Sequence, residues 1–240
     1  MSVEGPSAIT GPTGTADAAT RAAEVQTIYG QRFAQQREYR QRVWRVLIAD
    51  CFQALIGRDA AVLDLGCGYG EFINHIAARE RFGMDLNPDS ARMLSPGIGF
   101  FQQDCSEAWP LPEKSLDAVF TSNFFEHLPD KATLGRTLTQ AHRCLKPGGR
   151  LIALGPNIKY LPGAYWDFWD HYLPLTELSL CEGLRNRCFE IERCEPRFLP
   201  YTMVGGRQYP IPFLRLYLKL PLVWRFLGKQ FLVVGKRVSS

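Results

Sequence analysis

The sequence predicts an α/β fold, a doubly wound and mostly parallel sheet with helices on both faces, and three observations predict it. Residues Ala61–Phe72 read as an apolar strand running into a glycine turn and then the start of a helix. An acid, Asp85, ends a second short apolar segment about 20 residues beyond Gly66, the separation found in nucleotide-binding α/β sites. Strand-like and helix-like stretches then alternate as far as Leu154, the pattern of βαβ units.

The chain of 240 residues is 46% apolar and 22% charged, values of an ordinary globular protein long enough for one α/β domain with additions at its ends. Its net charge of +4 is mild, so the whole chain is not an obvious nucleic-acid binder, any basic effect is local, and no nucleic-acid partner is expected. Seven cysteines (Cys51, Cys67, Cys105, Cys144, Cys181, Cys188 and Cys194) form no C-x-x-C pair. They read as reduced thiols of a cytoplasmic protein, and no metal site is expected. No secretory leader pattern and no run of about 18 apolar residues occurs, so a cytoplasmic location without a transmembrane span is expected.

The chain divides into a disordered tail over 1–16, an N-terminal helical cap over 17–57 and the main domain over 58–240. In the cap, Tyr29, Phe33, Tyr39, Val43, Leu47 and Leu55 fall near helical spacing, and the interspersed arginines read as a solvated face. The first strand, Val62–Leu65, is apolar enough to be buried on both faces. Glycines at Gly66, Gly68 and Gly70 suit positive φ and close approach of a ligand to the backbone. A dinucleotide fingerprint would place its third glycine where Glu71 stands, and two carboxylates, Asp64 and Glu71, flank the turn. Such carboxylates repel a pyrophosphate and favour a cationic ligand. A helix over Glu71–Ala78, a strand Arg81–Asp85 and a helix capped by Asn87 with Pro88 at its first position follow. Then come a strand at Gly99–Gln103, a strand at Leu116–Ser122, and a helix Lys131–Leu145 capped by Asp130. Lys146-Pro147-Gly148-Gly149 turns the chain into a fifth strand, Arg150–Leu154.

At these residues the sequence resembles the class I S-adenosylmethionine-dependent methyltransferases of the bacterial small-molecule type. The resemblance runs from Val62 to Gly155, through the acid before Gly66-Cys67-Gly68-Tyr69-Gly70, Asp85, Asp104, Glu126-His127-Leu128 and Leu145-Lys146-Pro147-Gly148-Gly149. It implies a Rossmann-like sheet of seven strands whose last strand is antiparallel and lies between strands five and six. It also implies S-adenosyl-L-methionine as cofactor. Asp64, Gly66, Cys67, Gly68 and Gly70 would cradle the methionine end, Asp85 the ribose hydroxyls, Leu86 the adenine face, Asp104 and Cys105 the adenine edge, and Asn123 the methionine end through its backbone. From the leading helix, Tyr29 and Arg40 are candidates to cover the cofactor.

Beyond strand five, the loop 156–175 is dense in aromatics and acids, as loops that serve a site often are. A short helix from Thr176 to Arg185, a strand Phe189–Phe198, an insertion over 199–228 and a final strand Gln230–Lys236 complete the chain. The apolar stretch Phe213–Leu227 reads first as packing against the sheet, second as a lid over substrate, and third as a membrane-surface contact through 213–229, which Pro221 weakens by breaking the helix.

Methyl transfer is an in-line displacement that needs positioning, with a base only where a hydroxyl must lose its proton. Of four histidines, His75 and His142 read as structural or exposed; His171 is the preferred base, with Asp170 or Asp167 orienting it, and His127 at the carboxyl edge of the sheet is second. The expected function is O-methylation of a sugar, glycolipid or secondary metabolite. The alternatives are an N- or C-methyltransferase, or a non-catalytic methyltransferase-like module, against which the intact acids Asp64, Asp85 and Asp104 count. No Asn-Pro-Pro-Tyr follows the fourth strand, which lowers the weight of amine acceptors in nucleic acid or protein. Nothing in the sequence specifies an oligomeric state.

Overall fold

Strand β1 (Ala61–Leu65) is buried along its whole length, because both faces of the sheet are covered around it. Ala61, Leu63 and Leu65 enter the core on one face and Val62 enters the core on the other, the two-residue alternation of a strand. The computed structural model describes residues 37–201 and 208–238, so Tyr29, the tail 1–16 and the first half of the expected cap lie outside the described residues.

Around β1 the chain builds β2 (Glu80–Asp85), β3 (Gly99–Gln102), β4 (Leu116–Ser122), β5 (Leu145–Pro156), β6 (Phe189–Leu199) and β7 (Gln230–Arg237). Their spatial order is β3-β2-β1-β4-β5-β7-β6, with β7 antiparallel to both β5 and β6. The chain therefore steps from β1 out to β3 and returns to β4 on the other side of β1. This creates a switch point at the carboxyl ends of β1 and β4, where open sheets of this kind hold ligands.

Two helical layers cover the sheet. On one face lie α1 (Arg37–Leu47), a π turn Ile48–Phe52 and α2 (Gln53–Ile56), with Leu47, Ile48 and Phe52 packed among Val62, Phe72, Phe120 and Ile152. Short helix α3 (Ser90–Met93) follows β2. The other face carries α4 (Lys131–Cys144) and α5 (Glu177–Arg185), which bury Leu134, Leu138, Ala141, Leu180 and Leu184. Both begin at strong caps: Asp130 accepts from the Thr133 N–H, and Thr176 forms a capping box with Ser179.

Three elements differ from expectation. The helix expected over Glu71–Ala78 is a set of turns, because side chains from elsewhere take its backbone groups: Asp64 accepts the Ile73 N–H, and Gln53 both accepts the Ala77 N–H at 3.0 Å and donates to its carbonyl at 2.9 Å. Asn87 does not cap the next helix; its side chain accepts the Asp89 N–H and helix α3 begins three residues later, at Ser90. Strand β5 starts at Leu145 rather than Arg150, since Gly148 at φ +81° lets the chain shift register against β4 without leaving the sheet.

The insertion forms two helices, α6 (Ile211–Leu218) and α7 (Pro221–Leu227), separated as Pro221 requires. Leu214, Tyr217, Leu218 and Trp224 pack on the α1 face, while Phe213, Leu216, Leu222 and Phe226 remain exposed. Core packing thus accounts for the inner stripe alone. No helix among the described residues is long and apolar enough to cross a membrane.

Candidate active site

The turn after β1 is set by glycine. Gly66, Gly68 and Gly70 have φ of +70°, +50° and +75°, which side-chain-bearing residues adopt only at a cost. The Gly66 and Cys67 N–H groups both donate to the Met84 carbonyl, pinning the turn to the end of β2. A Cβ on Gly66 would stand 2.3 Å from the Phe124 ring, and one on Gly70 would stand 2.6 Å from Asn74. At these two glycines a Cβ would meet the protein's own side chains, so the chain's packing by itself already calls for glycine there. Cys67 is buried behind the turn, its sulfur against Gly83.

The acids divide into two kinds. Asp64 is buried beneath the turn, and burial first, then the neighbouring Glu71 and Asp85, push its carboxyl well above the usual range. Its contact is the Ile73 N–H, so it braces the turn from behind. Asp85, half-buried at the carboxyl end of β2, accepts the Gly68 N–H at 2.8 Å and the Asn87 N–H at 2.9 Å. Burial raises its pKa, while those bonds and the charge of nearby His127 pull the other way. Its carboxylate is held across the glycine turn. Glu71 pairs with Arg40 at 3.0 Å, which brings the leading helix α1 to the same turn.

The remaining predicted cofactor residues line the same edge. Leu86 is half-buried beside Asp85, and Asp104, at the end of β3, accepts the Ser106 N–H at 2.8 Å. Cys105 is buried, its sulfur 3.2 Å from the Thr137 hydroxyl and its carbonyl accepting from the Trp109 indole. Asn123 follows β4 at φ +49°, donating its backbone N–H to Leu154. Among the described residues, Asn123 Oδ1, Thr121 Oγ1 and Asn87 Nδ2 are buried without a hydrogen-bond partner.

A second cluster abuts the first. The backbone N–H groups of Tyr172 and Leu173 both donate to the Glu126 carbonyl, at 2.8 and 3.0 Å, and this joint carries loop 156–175 back over the end of β4. His127 Nδ1 lies 2.8 Å from the Asp170 carbonyl and 3.2 Å from its carboxylate. Both partners are acceptors, so Nδ1 carries the proton and Nε2 is the basic nitrogen. Asp170 or Asp167 was expected to orient His171; the fold sets Asp170 against His127. His171 is buried, stacked on Phe168 and set against Tyr165, with its ring 5.1 Å from that of His127. Burial pushes the Glu126 carboxyl up to about 7, partly opposed by His127. Burial alone would lower the His127 pKa, but the hydrogen bond to Asp170 and the nearby Glu126 carboxylate outweigh it and raise the value. One donor atom each from Glu126, His127 and His171 lie within 4.8 Å of one another. Glu126 was not among the predicted site residues, although the Glu-His-Leu signature contained the signal. A cavity of about 430 Å³ lined by Gly57, Arg58, Asp117 and Lys146 lies at the amino ends of β1 and β4, the opposite edge from these groups.

A mostly parallel sheet with one reversed strand, a glycine turn at its switch point and a fixed acid at the end of β2 define the class I S-adenosylmethionine-dependent methyltransferase arrangement. The chain belongs to the methyltransferase domain family, which residues 36–188 match. An S-adenosylmethionine-dependent methyltransferase of Mycolicibacterium smegmatis is 33% identical over 143 residues, 57% of this chain and 53% of that protein. A trans-aconitate 2-methyltransferase of Methylobacterium radiotolerans is 36% identical over 102 residues, 40% of this chain and 37% of that one. The chain spans about half the length, or less, of these curated relatives. The crystal structure of an S-adenosylmethionine-dependent methyltransferase from Archaeoglobus fulgidus shares the fold, with a TM-score of 0.62 at 20% identity over 85% of this chain and 99% of that one.

The cofactor of the family is S-adenosyl-L-methionine, and the residues present fit it. An unpaired buried polar atom costs about 1–3 kcal/mol, a cost that a polar ligand relieves. Such atoms stand here on both sides of β1, at Asn87 beyond β2 and at Asn123 beyond β4, with the Asp85 carboxylate accepting the Asn87 N–H.

Proposed function

We propose that the chain transfers a methyl group from S-adenosyl-L-methionine to an oxygen of a small molecule, a sugar, glycolipid or secondary metabolite. The observation that carries this reading is the Asp85 carboxylate, held opposite the glycine turn by Gly68 and Asn87 with the Glu126–His127–His171 cluster beside it. When bound, S-adenosyl-L-methionine would supply an electrophilic methyl on a sulfonium: the acceptor oxygen would take that carbon, the sulfur–carbon electron pair would stay on sulfur, and the hydroxyl proton would leave to a base or to water. Asp85 accepts hydrogen bonds from the ribose hydroxyls. Asp64 and Phe124 hold the turn in shape, and Asp104 with the Cys105 backbone faces the adenine edge. His127 and His171 act on the acceptor's oxygen, with Asp170 positioning His127.

Two features favour an oxygen acceptor on a sugar-like or acidic body. The cluster provides groups that ionise or bind a hydroxyl, which a thiolate acceptor does not require. Trp166 and Trp169 on the adjoining loop are 57% and 84% exposed, flat apolar faces suited to stacking on a ring. One relative is named for methylating the carboxylic acid trans-aconitate.

The test is transfer of radiolabelled methyl groups into cell extracts separated into glycan, lipid, protein and nucleic-acid fractions. Label is expected in glycan, lipid or the remaining small-metabolite fraction, and to fall at least about tenfold in His127→Ala and His171→Ala while calorimetric binding of S-adenosylhomocysteine persists. Label in protein or nucleic acid overturns the small-molecule assignment. Cofactor binding with no transfer to any fraction favours a non-catalytic module.

A further inference from the structure

A buried carboxylate is ordinarily paired with a cation or bound to a metal. Glu126 is 4% exposed and deep in the protein. Its hydrogen-bond donor among the described residues is its own backbone N–H. One ring nitrogen each of His127 and His171 and a Glu126 carboxylate oxygen lie within 4.8 Å of one another. We infer that Glu126, His127 and His171 form a binding site for a divalent transition-metal cation.

Three features of the chain carry this. Two histidines and one carboxylate suit Mn²⁺, Fe²⁺, Co²⁺ or Zn²⁺ better than the all-oxygen sites of Mg²⁺ or Ca²⁺, and they leave coordination positions open for a ligand. His127 already has the support that metal-binding histidines show: its Nδ1–H donates to the Asp170 carbonyl and carboxylate, which fixes the ring and leaves Nε2 as the donor. His171 is held by stacking on Phe168 at 4.8 Å and by contact with Tyr165 at 4.7 Å, so its ring is preset rather than free to swing. Donors bound to one ion at about 2.1 Å stand about 3–4 Å apart, so the three groups draw together by about 1 Å on binding.

The three residues come from two segments joined where Tyr172 and Leu173 hydrogen-bond the Glu126 carbonyl and where His127 meets Asp170. The site also lies next to the proposed cofactor site, since Phe124, two residues before Glu126, packs against Gly66 of the glycine turn. An acceptor offering one or two oxygens enters at the open positions, where the cation favours loss of its hydroxyl proton to water. Both imidazoles then serve as ligands, and neither is the general base. This role in methyl transfer rests on the methyltransferase reading above; binding of the cation does not.

Co²⁺ is the probe, titrated into the full-length chain after chelator treatment. One equivalent is expected, with the visible absorption of a nitrogen- and oxygen-ligated ion and no thiolate charge-transfer band from a site such as Cys188, which is exposed. The dissociation constant is expected to rise at least about tenfold in Glu126→Gln and in His171→Ala, by about tenfold in Asp170→Asn, and not at all in His142→Ala. Stabilisation by S-adenosylhomocysteine, measured on each variant without metal, reports folding and the cofactor reading separately. If a variant fails to fold, anomalous density in Co²⁺-soaked crystals of the unaltered protein locates the ion. Absence of Co²⁺ binding, binding that survives His171→Ala, or an ion lodged elsewhere overturns the site.

Discussion

Asp85 meets two different demands at one carboxylate. Its oxygens already accept the Gly68 and Asn87 N–H groups, and a carboxylate has lone pairs left for two hydroxyls. Replacing it with alanine removes the proposed ribose bonds, about 1.5–3 kcal/mol for bonds to a charged group, or roughly 10- to 150-fold in affinity for S-adenosylhomocysteine. Asp85→Asn keeps one acceptor oxygen, so its loss is expected to be smaller. Calorimetry returning the same affinity for the alanine variant would exclude the ribose role. Asp85 was legible in the sequence because its spacing from the glycine turn follows from strand geometry. The partner of Gly66 was not: Phe124 reaches it only once β4 lies beside β1, a contact no local pattern encodes. The same holds for His127 and Asp170, 43 residues apart and joined by the return of a loop.

Helix α5 shows how an element is fixed by its first residues. Glu177 is buried at its amino end and accepts from Asn157 Nδ2 at 2.6 Å and Lys159 Nζ at 2.5 Å, tying the helix to the exit of β5. Burial alone would raise its pKa, but these bonds outweigh burial and hold it below the usual glutamate value. A depressed folded pKa means stability that is present above the unfolded value, about 4.3, and lost as pH falls through the folded one. Glu177→Gln is therefore expected to destabilise the protein by about 1–3 kcal/mol in urea unfolding at pH 7 and to narrow its gap to the parent below about pH 4. An equal gap at both pH values would refute the account. The Asp130 cap was readable, since it precedes a helical pattern with the right chemistry; Thr176 was readable as the start of its helix, and its capping box with Ser179 is seen in the fold. The turns over 71–78 were not, because Asp64 and Gln53 capture backbone groups that the local pattern assigns to a helix.

At the scale of the whole chain, the switch point divides the sheet into a β1-β2-β3 half and a β4-to-β6 half, with the predicted cofactor residues drawn from both. A ligand that touches Asp85 on one half and Asn123 on the other binds the folded chain and not the unfolded one. At 100 times its dissociation constant it stabilises by about 2.7 kcal/mol. For a chain of this size that corresponds to a rise of about 5–10 °C in the melting temperature. S-adenosylhomocysteine is expected to produce this shift, and NAD at the same concentration is expected to produce none. The physical ground is charge as much as shape: Glu71 is paired with Arg40, and Asp85 holds its carboxylate across the turn with the Gly68 and Asn87 N–H groups as donors. A pyrophosphate placed there meets repulsion from the Asp85 carboxylate, whereas a sulfonium and an ammonium meet attraction. Equal stabilisation by NAD would return the glycine turn to the dinucleotide-binding class and remove the basis for methyl transfer.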